Sequence, residues 1–146
     1  MIPTALGALS LAIWLVLLLG RDMFWLARER DTRGMPPEPQ TWPDVIAVVP
    51  ARDEADVIAR SVGSLLTQDY PGRFRVILVD DQSSDGTADI ARALGSDRLE
   101  VLSGAPLARG WTGKLWAVSQ GVARAGEAPR YLWLTDADIE HAPDTL

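Results

Sequence analysis

The sequence predicts an α/β domain with a mostly parallel sheet. From Asp44 onward, short apolar runs alternate with segments of helical periodicity, which is the pattern of strand–helix–strand units. Polar and acidic clusters directly follow three of the apolar runs. In parallel sheets of this kind ligands bind beyond the carboxyl ends of the strands, so these clusters form the candidate site.

Four strands are predicted, and they cover residues 45–49, 75–80, 99–102 and 131–135. The first is a short, continuous apolar run, which is typical of a strand buried on both faces. The predicted helices are Glu54 to about Thr67, residues 87–94, and Lys114–Ala125. Asp53 is the expected N-cap of the first helix, and Gly95 is expected to end the second. The apolar face of the first helix consists of Val57, Ile58, Val62, Leu65 and Leu66, and that of the third consists of Leu115, Val118 and Val122.

The N-terminal segment predicts a membrane anchor. Residues 1–20 carry no charged side chain, and about 20 apolar residues span a bilayer as a helix. No Lys or Arg precedes the segment, whereas Arg21, Arg28, Arg30 and Arg33 follow it, so the rest of the chain is expected in the cytoplasm. We therefore expect one transmembrane helix at 1–22 in the inner membrane, then a juxtamembrane segment and proline-rich linker at 23–43. A cleaved signal peptide is the alternative, although its usual positively charged start is missing.

The composition argues against several classes of function. The formal net charge is −6 and no basic stripe is present to neutralise phosphates, so nucleic acid is not an expected partner. The absence of cysteine excludes disulfides and thiolate metal sites. A metal site would use oxygen ligands, which suit Mg²⁺ or Mn²⁺, or the lone His141, which we expect at the surface.

Two acidic pairs at strand ends are the main candidates for chemistry. Asp80 and Asp81 end the second strand, where a carboxylate can accept hydrogen bonds from a uracil imide N–H or from ribose hydroxyls. The alternative is a simple turn, with Asp81 or Asp85 capping the next helix. Asp136 and Asp138 follow the fourth strand and can aim at one divalent cation, which would neutralise a departing diphosphate. The alternative there is a solvated acidic loop.

Two further segments are candidates for contact with a nucleotide. In GWTGKLWA, residues 110–117, a Gly-x-x-Gly-Lys stretch opens a helix, where free N–H groups and the helix dipole favour anions. Lys114 adds a positive charge there, unless it is only a solvated lysine. In PARDE, after the first strand, Arg52 and Glu54 are the candidates, although acids are also favourable in any first helical turn.

In this order, the motifs resemble those of the family 2 glycosyltransferases with a GT-A fold. The resemblance rests on PARDE, LVDDQSSDGT, GK and DAD, and it covers the chain from about Asp44 to the end. Together with the N-terminal anchor, PARDEADVI and GWTGKLWA are similar more narrowly to the hopanoid-biosynthesis-associated glycosyltransferases. The resemblance implies that residues 44–146 form the N-terminal, nucleotide-binding half of a GT-A (Rossmann-like) domain.

The family resemblance also implies an activity and site residues. The activity is metal-assisted, inverting transfer of a sugar from a nucleoside diphosphate sugar, UDP-linked, to a lipid or glycan acceptor. Asp81 is implied to bind uracil and Lys114 to lie near the diphosphate. Asp136 and Asp138 match the D-x-D motif that binds Mg²⁺ or Mn²⁺, with Asp138 as the direct ligand. The residues implied to border the nucleotide are Ala51, Arg52, Glu54, Asp81, Lys114 and Asp136.

The family pattern extends beyond the present sequence. Members continue past the D-x-D motif with the aspartate that acts as general base and with further membrane helices, whereas this sequence ends eight residues after Asp138. No catalytic base is assigned, and we expect these 146 residues alone to be inactive, or to bind nucleotide only. A receiver-like signalling domain is the alternative from another class, but its lone aspartate after the third strand is replaced here by Leu-Ser-Gly.

Overall fold

The computed structural model describes residues 2–21, 26, 37 and 39–146. The chain divides into two compact units, Met1–Glu38 and Pro39–Leu146. In the first unit, helix α1 spans Ile2–Leu19. Its large apolar side chains are exposed along the whole described length, and they are Leu6, Leu9, Leu11, Ile13, Trp14, Leu15, Val16, Leu17, Leu18 and Leu19.

The predicted transmembrane helix at 1–22 is not confirmed. Helix α1 has 18 residues, which corresponds to a length of about 27 Å, and the hydrocarbon core of a bilayer is about 30 Å thick. In the part of the chain that the structure describes, no helix combines the length and apolar content needed to cross a membrane. Most of the predicted juxtamembrane segment and linker, 23–43, lies outside the described residues.

The second unit contains a four-stranded sheet in which every neighbouring pair of strands is parallel, in the order β3-β2-β1-β4. The strands are β1 (Val45–Ala51), β2 (Phe74–Asp80), β3 (Leu99–Ser103) and β4 (Tyr131–Leu134). Strands β1 and β2 are almost completely buried, because both of their faces are covered. The predicted α/β fold with a parallel sheet is confirmed.

Helices cover the two faces of this sheet. They are α2 (Ile58–Leu66), α3 (Thr87–Arg92) and α4 (Gly113–Ala125). Ile58, Val62 and Leu65 of α2 pack with alternate residues of β1 and β2, and Ala91 of α3 joins the same cluster. The other alternate residues of β1 and β2 pack against Ala117 and Ala125 of α4. Each helix thus crosses from the carboxyl end of one strand back toward the start of the next.

The first helix begins later than its sequence predicts. Helix α2 starts at Ile58 and not at Glu54, and its N-cap position is Val57. The prediction that Asp53 is the N-cap is therefore wrong. Asp53 adopts a left-handed backbone conformation with φ of 53°, and its side chain accepts hydrogen bonds from Ser84 on another loop.

The buried face of α4 also differs from the prediction. Small residues, Ala117, Gly121 and Ala125, face the sheet, whereas Leu115 is 59% exposed. A Cβ atom at Gly121 would lie 2.4 Å from Cγ1 of Val48. The helix approaches β1 so closely that larger side chains do not fit between them, which is why an apolar periodicity alone selected the wrong face.

Strand β4 ends the sheet formed by the described residues and is more exposed than its apolar sequence predicts. Tyr131, Leu132 and Leu134 are 56%, 38% and 56% exposed. Only Trp133 packs against the core, and it does so beside Phe74. The strand pairs with β1 on one side, and no described strand pairs with its other side.

Candidate functional site

A pocket of about 300 Å³ opens at the carboxyl edge of the sheet. The ends of β1, β2 and β4 and the start of α4 surround it, because parallel strands bring their carboxyl ends to one edge. The pocket lining includes every residue that the sequence predicts for the site, namely Ala51, Arg52, Glu54, Asp81, Lys114, Asp136 and Asp138. The predicted residues are brought together, and the role of each remains a prediction.

Asp81 is held at the floor of this pocket. Its backbone N–H donates a hydrogen bond of 2.8 Å to the carbonyl of Ala51, which extends the pairing of β1 and β2 by one residue. Its side chain is only 10% exposed, and Oδ2 lies 3.6 Å from a guanidinium nitrogen of Arg52. A Cβ atom at Gly113 would lie 3.0 Å from the same oxygen, so a larger residue at position 113 would require the Asp81 carboxylate to shift.

The other member of the acidic pair points away from the pocket. Successive side chains of a strand face opposite sides of the sheet, and Val76 and Leu78 face the α2 and α3 side. Asp80 therefore lies on that side, while Asp81 faces α4. Asp80 is 8% exposed, and its Oδ1 atom has no hydrogen-bond partner among the described residues. The two adjacent charges of the sequence are thus separated by the pleat of the sheet.

Two cations in the pocket are paired with carboxylates. Nζ of Lys114 lies 2.6 Å from Oδ1 of Asp136, and both side chains are about half exposed, at 61% and 46%. Arg52 lies beside Asp81. Since Glu54 and Asp138 also line the pocket, acidic side chains outnumber basic ones. The pocket is therefore suited to an anionic ligand that binds together with a cation, because the cation compensates the excess of acidic side chains.

The start of α4 contributes backbone donors to the pocket. The helix begins at Gly113, and its N-cap residue Thr112 makes no side-chain capping hydrogen bond. The first N–H groups of a helix have no partner within the helix and attract anions. Lys114 stands on the first turn of α4, and anion binding at this helix start stays a prediction.

Comparison with known proteins identifies the family. The model of "Glycosyl transferase family 2" matches residues 46–146, which include all four strands apart from the first residue of β1, and every residue that lines the pocket. The chain belongs to glycosyl transferase family 2. The narrower similarity to hopanoid-associated members is not shown by any of these matches.

Individual glycosyltransferases of known name and structure match this region. The chain is 36% identical over 108 residues to beta-monoglucosyldiacylglycerol synthase of Trichormus variabilis, which covers 71% of this chain and 22% of that protein. The structure of the mannosyltransferase PcManGT from Pyrobaculum calidifontis, in complex with GDP-Man and Mn²⁺, aligns with a TM-score of 0.60 and 27% identity over 90% of this chain and 39% of that one. The TarS 1–349 structure from S. aureus, in complex with UDP, aligns with a TM-score of 0.55 and 25% identity over 70% of this chain and 29% of that one. The chain spans about a fifth of the length of the first curated relatives that it matches.

A divalent cation fits the residues that the pocket presents. No group of three or more His, Asp or Glu side chains that could hold a metal occurs among the described residues. Asp136 and Asp138 nevertheless line one pocket, and their oxygens are the hard ligands that Mg²⁺ and Mn²⁺ prefer. Mg²⁺ is usually held by one or two carboxylates together with substrate phosphates, so two protein ligands suffice.

Sequence reasoning missed the contacts of three residues outside the pocket lining, Asp53, Asp85 and His141. Asp53 and Asp85 join the loops after β1 and β2, although they were assigned as a helix cap and a turn residue. His141 is partly buried and not simply at the surface. Its Nε2 lies 2.9 Å from Oγ1 of Thr135, and its ring packs against Trp133 with 4.6 Å between the ring centroids. Burial lowers the pKa of His141 below its usual value of 6.5.

Proposed function

We propose that residues 44–146 bind the donor of a glycosyltransferase that transfers a sugar from a nucleoside diphosphate sugar, UDP-linked, with the help of Mg²⁺ or Mn²⁺. One observation carries this proposal. Seven residues chosen from four separate segments of the sequence meet in one pocket at the carboxyl edge of the sheet. Membership of the family and the alignment with structures that hold UDP, or GDP-Man and Mn²⁺, support it.

Asp81 is the residue that we propose to read the base. Its carboxylate is nearly buried, and the 3.6 Å to Arg52 exceed hydrogen-bonding distance. Among the described residues, its oxygens accept no other hydrogen bond and can accept one from a ligand. The imide N–H of uracil is a donor, whereas cytosine presents an acceptor at the same ring position. Guanine also presents N–H groups along this edge, and the alignment with the GDP-Man complex makes a guanine nucleotide the second candidate.

The phosphates are proposed to lie between α4 and the end of β4. There Lys114 and the first N–H groups of α4 face Asp136 and Asp138 across the pocket. A divalent cation would supply electrostatic stabilisation of the departing diphosphate when it is bound between these two aspartates. Lys114 now contacts Asp136 at 2.6 Å, so binding of metal and diphosphate requires Lys114 to exchange this carboxylate for phosphate oxygens.

Isothermal titration calorimetry tests the donor proposal. UDP is titrated into the chain with Mn²⁺, and again with EDTA, and GDP and CDP are compared under the same conditions. We expect binding that needs the metal, and a large loss of affinity in Asp138→Asn. Equal affinity for UDP with Mn²⁺ and with EDTA would contradict the metal role, and no binding of any nucleoside diphosphate would contradict the proposed function.

We further propose that these 146 residues bind a donor without transferring its sugar. The four acidic residues of the pocket, Glu54, Asp81, Asp136 and Asp138, are all assigned to nucleotide or metal, which leaves none of them as the general base of an inverting reaction. Acceptor-dependent release of UDP by the purified chain, lost in Asp138→Asn, would show that this proposal is wrong.

The acceptor is proposed to be a lipid, and the chain is proposed to be attached to the inner membrane with residues 44–146 in the cytoplasm. The exposed leucines of the uncharged helix α1 support membrane attachment, and the arginines that follow support the orientation. The Trichormus variabilis relative is named beta-monoglucosyldiacylglycerol synthase, and this name of a glucosylated lipid supports a lipid acceptor. A hopanoid is the narrower proposal, and it rests only on the sequence motifs.

Two experiments examine the membrane proposals. After carbonate extraction of membranes, we expect the chain in the pellet, and its release into the soluble fraction would contradict membrane attachment. Membranes that contain the whole protein are then incubated with a radiolabelled UDP-sugar. Label in the lipid extract supports a lipid acceptor, hopanoids being identified by mass spectrometry, whereas label that stays in water-soluble glycan would contradict it.

A further inference from the structure

The loops that follow β1 and β2 are tied together by side-chain hydrogen bonds. We call residues 52–57 the β1 loop and residues 81–86 the β2 loop. Three consecutive N–H groups of the β1 loop donate to side chains of the β2 loop or of the first residue of α3. These bonds run from Asp53 to Oγ of Ser83 at 2.9 Å, from Glu54 to Oγ1 of Thr87 at 2.8 Å, and from Ala55 to Oδ2 of Asp85 at 2.9 Å.

Asp85 is the centre of this network. Its Oδ1 accepts from the backbone N–H of Thr87 at 3.0 Å and from the Thr87 hydroxyl at 2.5 Å, while its Oδ2 accepts from Ala55. The Thr87 hydroxyl in turn accepts from Glu54 and is fully buried. These donors, with the Thr87 hydroxyl first, lower the pKa of the Asp85 carboxyl below its usual value. Both oxygens of Asp85 are used within the protein, so this carboxylate has a different task from those that line the pocket.

The hydrogen-bond network stabilises backbone conformations of the β1 loop and the β2 loop that are unfavourable in isolation. Asp53 and Gln82 both have left-handed backbone conformations, with φ of 53° and 60°. Residues other than glycine keep such conformations only where surrounding contacts determine them. The β1 loop carries Arg52 and Glu54 into the pocket, and three of its successive amides are bound to the partner loop.

We propose that Asp85 is a positioning residue for the nucleotide: without touching it, Asp85 holds the β1 loop so that Arg52 and Glu54 face the pocket. This inference rests on the proposed function, because it assigns the two loops to donor binding. It extends that function to a residue outside the pocket lining, whose sequence context, S-S-D-G-T, indicates only a turn.

The substitution Asp85→Asn tests the inference. Asparagine has the same shape, but its amide NH₂ cannot accept, so either Ala55 or Thr87 loses its acceptor. We expect UDP, titrated calorimetrically in the presence of Mn²⁺, to bind about five- to tenfold more weakly. The matched control is Asp89→Asn, which removes the same charge from α3, where Asp89 is exposed and paired with Arg92. The control is expected to keep wild-type affinity.

A double-mutant cycle separates positioning from a general loss of stability. If Asp85 acts through Arg52, then Arg52→Gln lowers UDP affinity clearly in the wild type and much less in Asp85→Asn. A residue that only stabilises the fold would lower the melting temperature and leave the two effects on affinity additive. If Asp85→Asn does not fold, Ser83→Ala is used in its place, since it removes one hydrogen bond of the same network at a partly exposed position. The effects of Ser83→Ala and Arg52→Gln on UDP affinity are then expected to be non-additive as well, but by a smaller amount.

The outcomes distinguish this inference from the proposed function. Additive effects, or wild-type affinity in a folded Asp85→Asn chain, overturn the positioning role alone. If Ser83→Ala has to replace Asp85→Asn, wild-type affinity for UDP in Ser83→Ala, or additive effects of Ser83→Ala and Arg52→Gln, likewise overturn the positioning role. A wild-type chain that binds no nucleoside diphosphate overturns the proposed function and this inference with it.

Discussion

The assignment of Asp81 to the base of the nucleotide makes a prediction about discrimination between UDP and CDP. In Asp81→Ala, the acceptor for the uracil imide N–H is removed, while Lys114, Asp136 and Asp138, which also line the pocket, are unchanged. We therefore expect the variant to lose its preference for UDP over CDP. The dependence of binding on Mn²⁺ should remain.

The magnitude follows from the environment of the carboxylate. A hydrogen bond to a charged acceptor contributes about 1.5–3 kcal/mol, and the Asp81 side chain, at 10% exposure, is little screened by solvent. UDP affinity should fall about ten- to a hundredfold. Loss of Asp81 also leaves Arg52 with Asp53 alone as a neighbouring carboxylate, which changes the attraction for any diphosphate. The ratio of UDP to CDP affinities removes this contribution, since it affects both ligands alike.

The assay is a set of paired calorimetric titrations of UDP and CDP, with Mn²⁺, against the wild type, Asp81→Ala and Asp138→Asn. Asp138→Asn is the matched control, because it should weaken both diphosphates equally and keep their ratio. Thermal denaturation of each variant verifies that the fold is retained. If Asp81→Ala still discriminates between the two bases as the wild type does, Asp81 is a turn residue and the assignment of the base site is wrong.

Three further predictions concern the cation pair, the packing of α4 and the histidine. Lys114→Gln should raise the affinity for Mn²⁺ alone by up to about fivefold, because the half-exposed ion pair with Asp136 is worth at most about 1 kcal/mol. The same variant should bind UDP more weakly in the presence of Mn²⁺. If calorimetry shows that both affinities fall, Lys114 does not exchange Asp136 for phosphate. In Gly121→Ala the added Cβ would meet a β1 valine at 2.4 Å, so urea unfolding should show a loss of about 1–3 kcal/mol in stability. The control Gly63→Ala in α2, where no atom lies within 4 Å, should stabilise the chain by about 0.5–1 kcal/mol. Equal effects of the two substitutions would refute the close contact between α4 and β1. Burial lowers the pKa of His141 below 6.5 in the folded chain, so the unfolded chain takes up a proton first as the pH falls, and the stability of the fold should decrease. His141→Gln should reduce this dependence of the melting temperature on pH. Equal pH dependence in the variant and the wild type would contradict the prediction.

The location of the site was predictable from the sequence, since it depends on strand order along the chain and on the common edge of parallel strands. Details that depend on distances between elements were not predictable. Apolar spacing selected Leu115 for the buried face of α4, but the short distance to β1 admits only small residues such as Gly121. Acidic first-turn residues suggested a helix start at Asp53, but hydrogen bonds to a loop 31 residues away hold that backbone in a left-handed conformation. His141 is partly buried because Trp133 lies beneath it, which no local pattern indicates.

Strand β4 has a practical consequence for handling the 146-residue chain. An apolar edge strand with unpaired backbone groups is a template for pairing with another chain, and natural proteins protect such edges with charged residues, especially lysine. Tyr131, Leu132 and Leu134 offer no such protection in the sheet formed by the described residues. Concentrated solutions of this chain should therefore scatter light increasingly with time. The substitution Leu132→Lys, at a residue that is 38% exposed and is not part of the pocket lining, should delay the onset of scattering and make the titrations above feasible at high protein concentration.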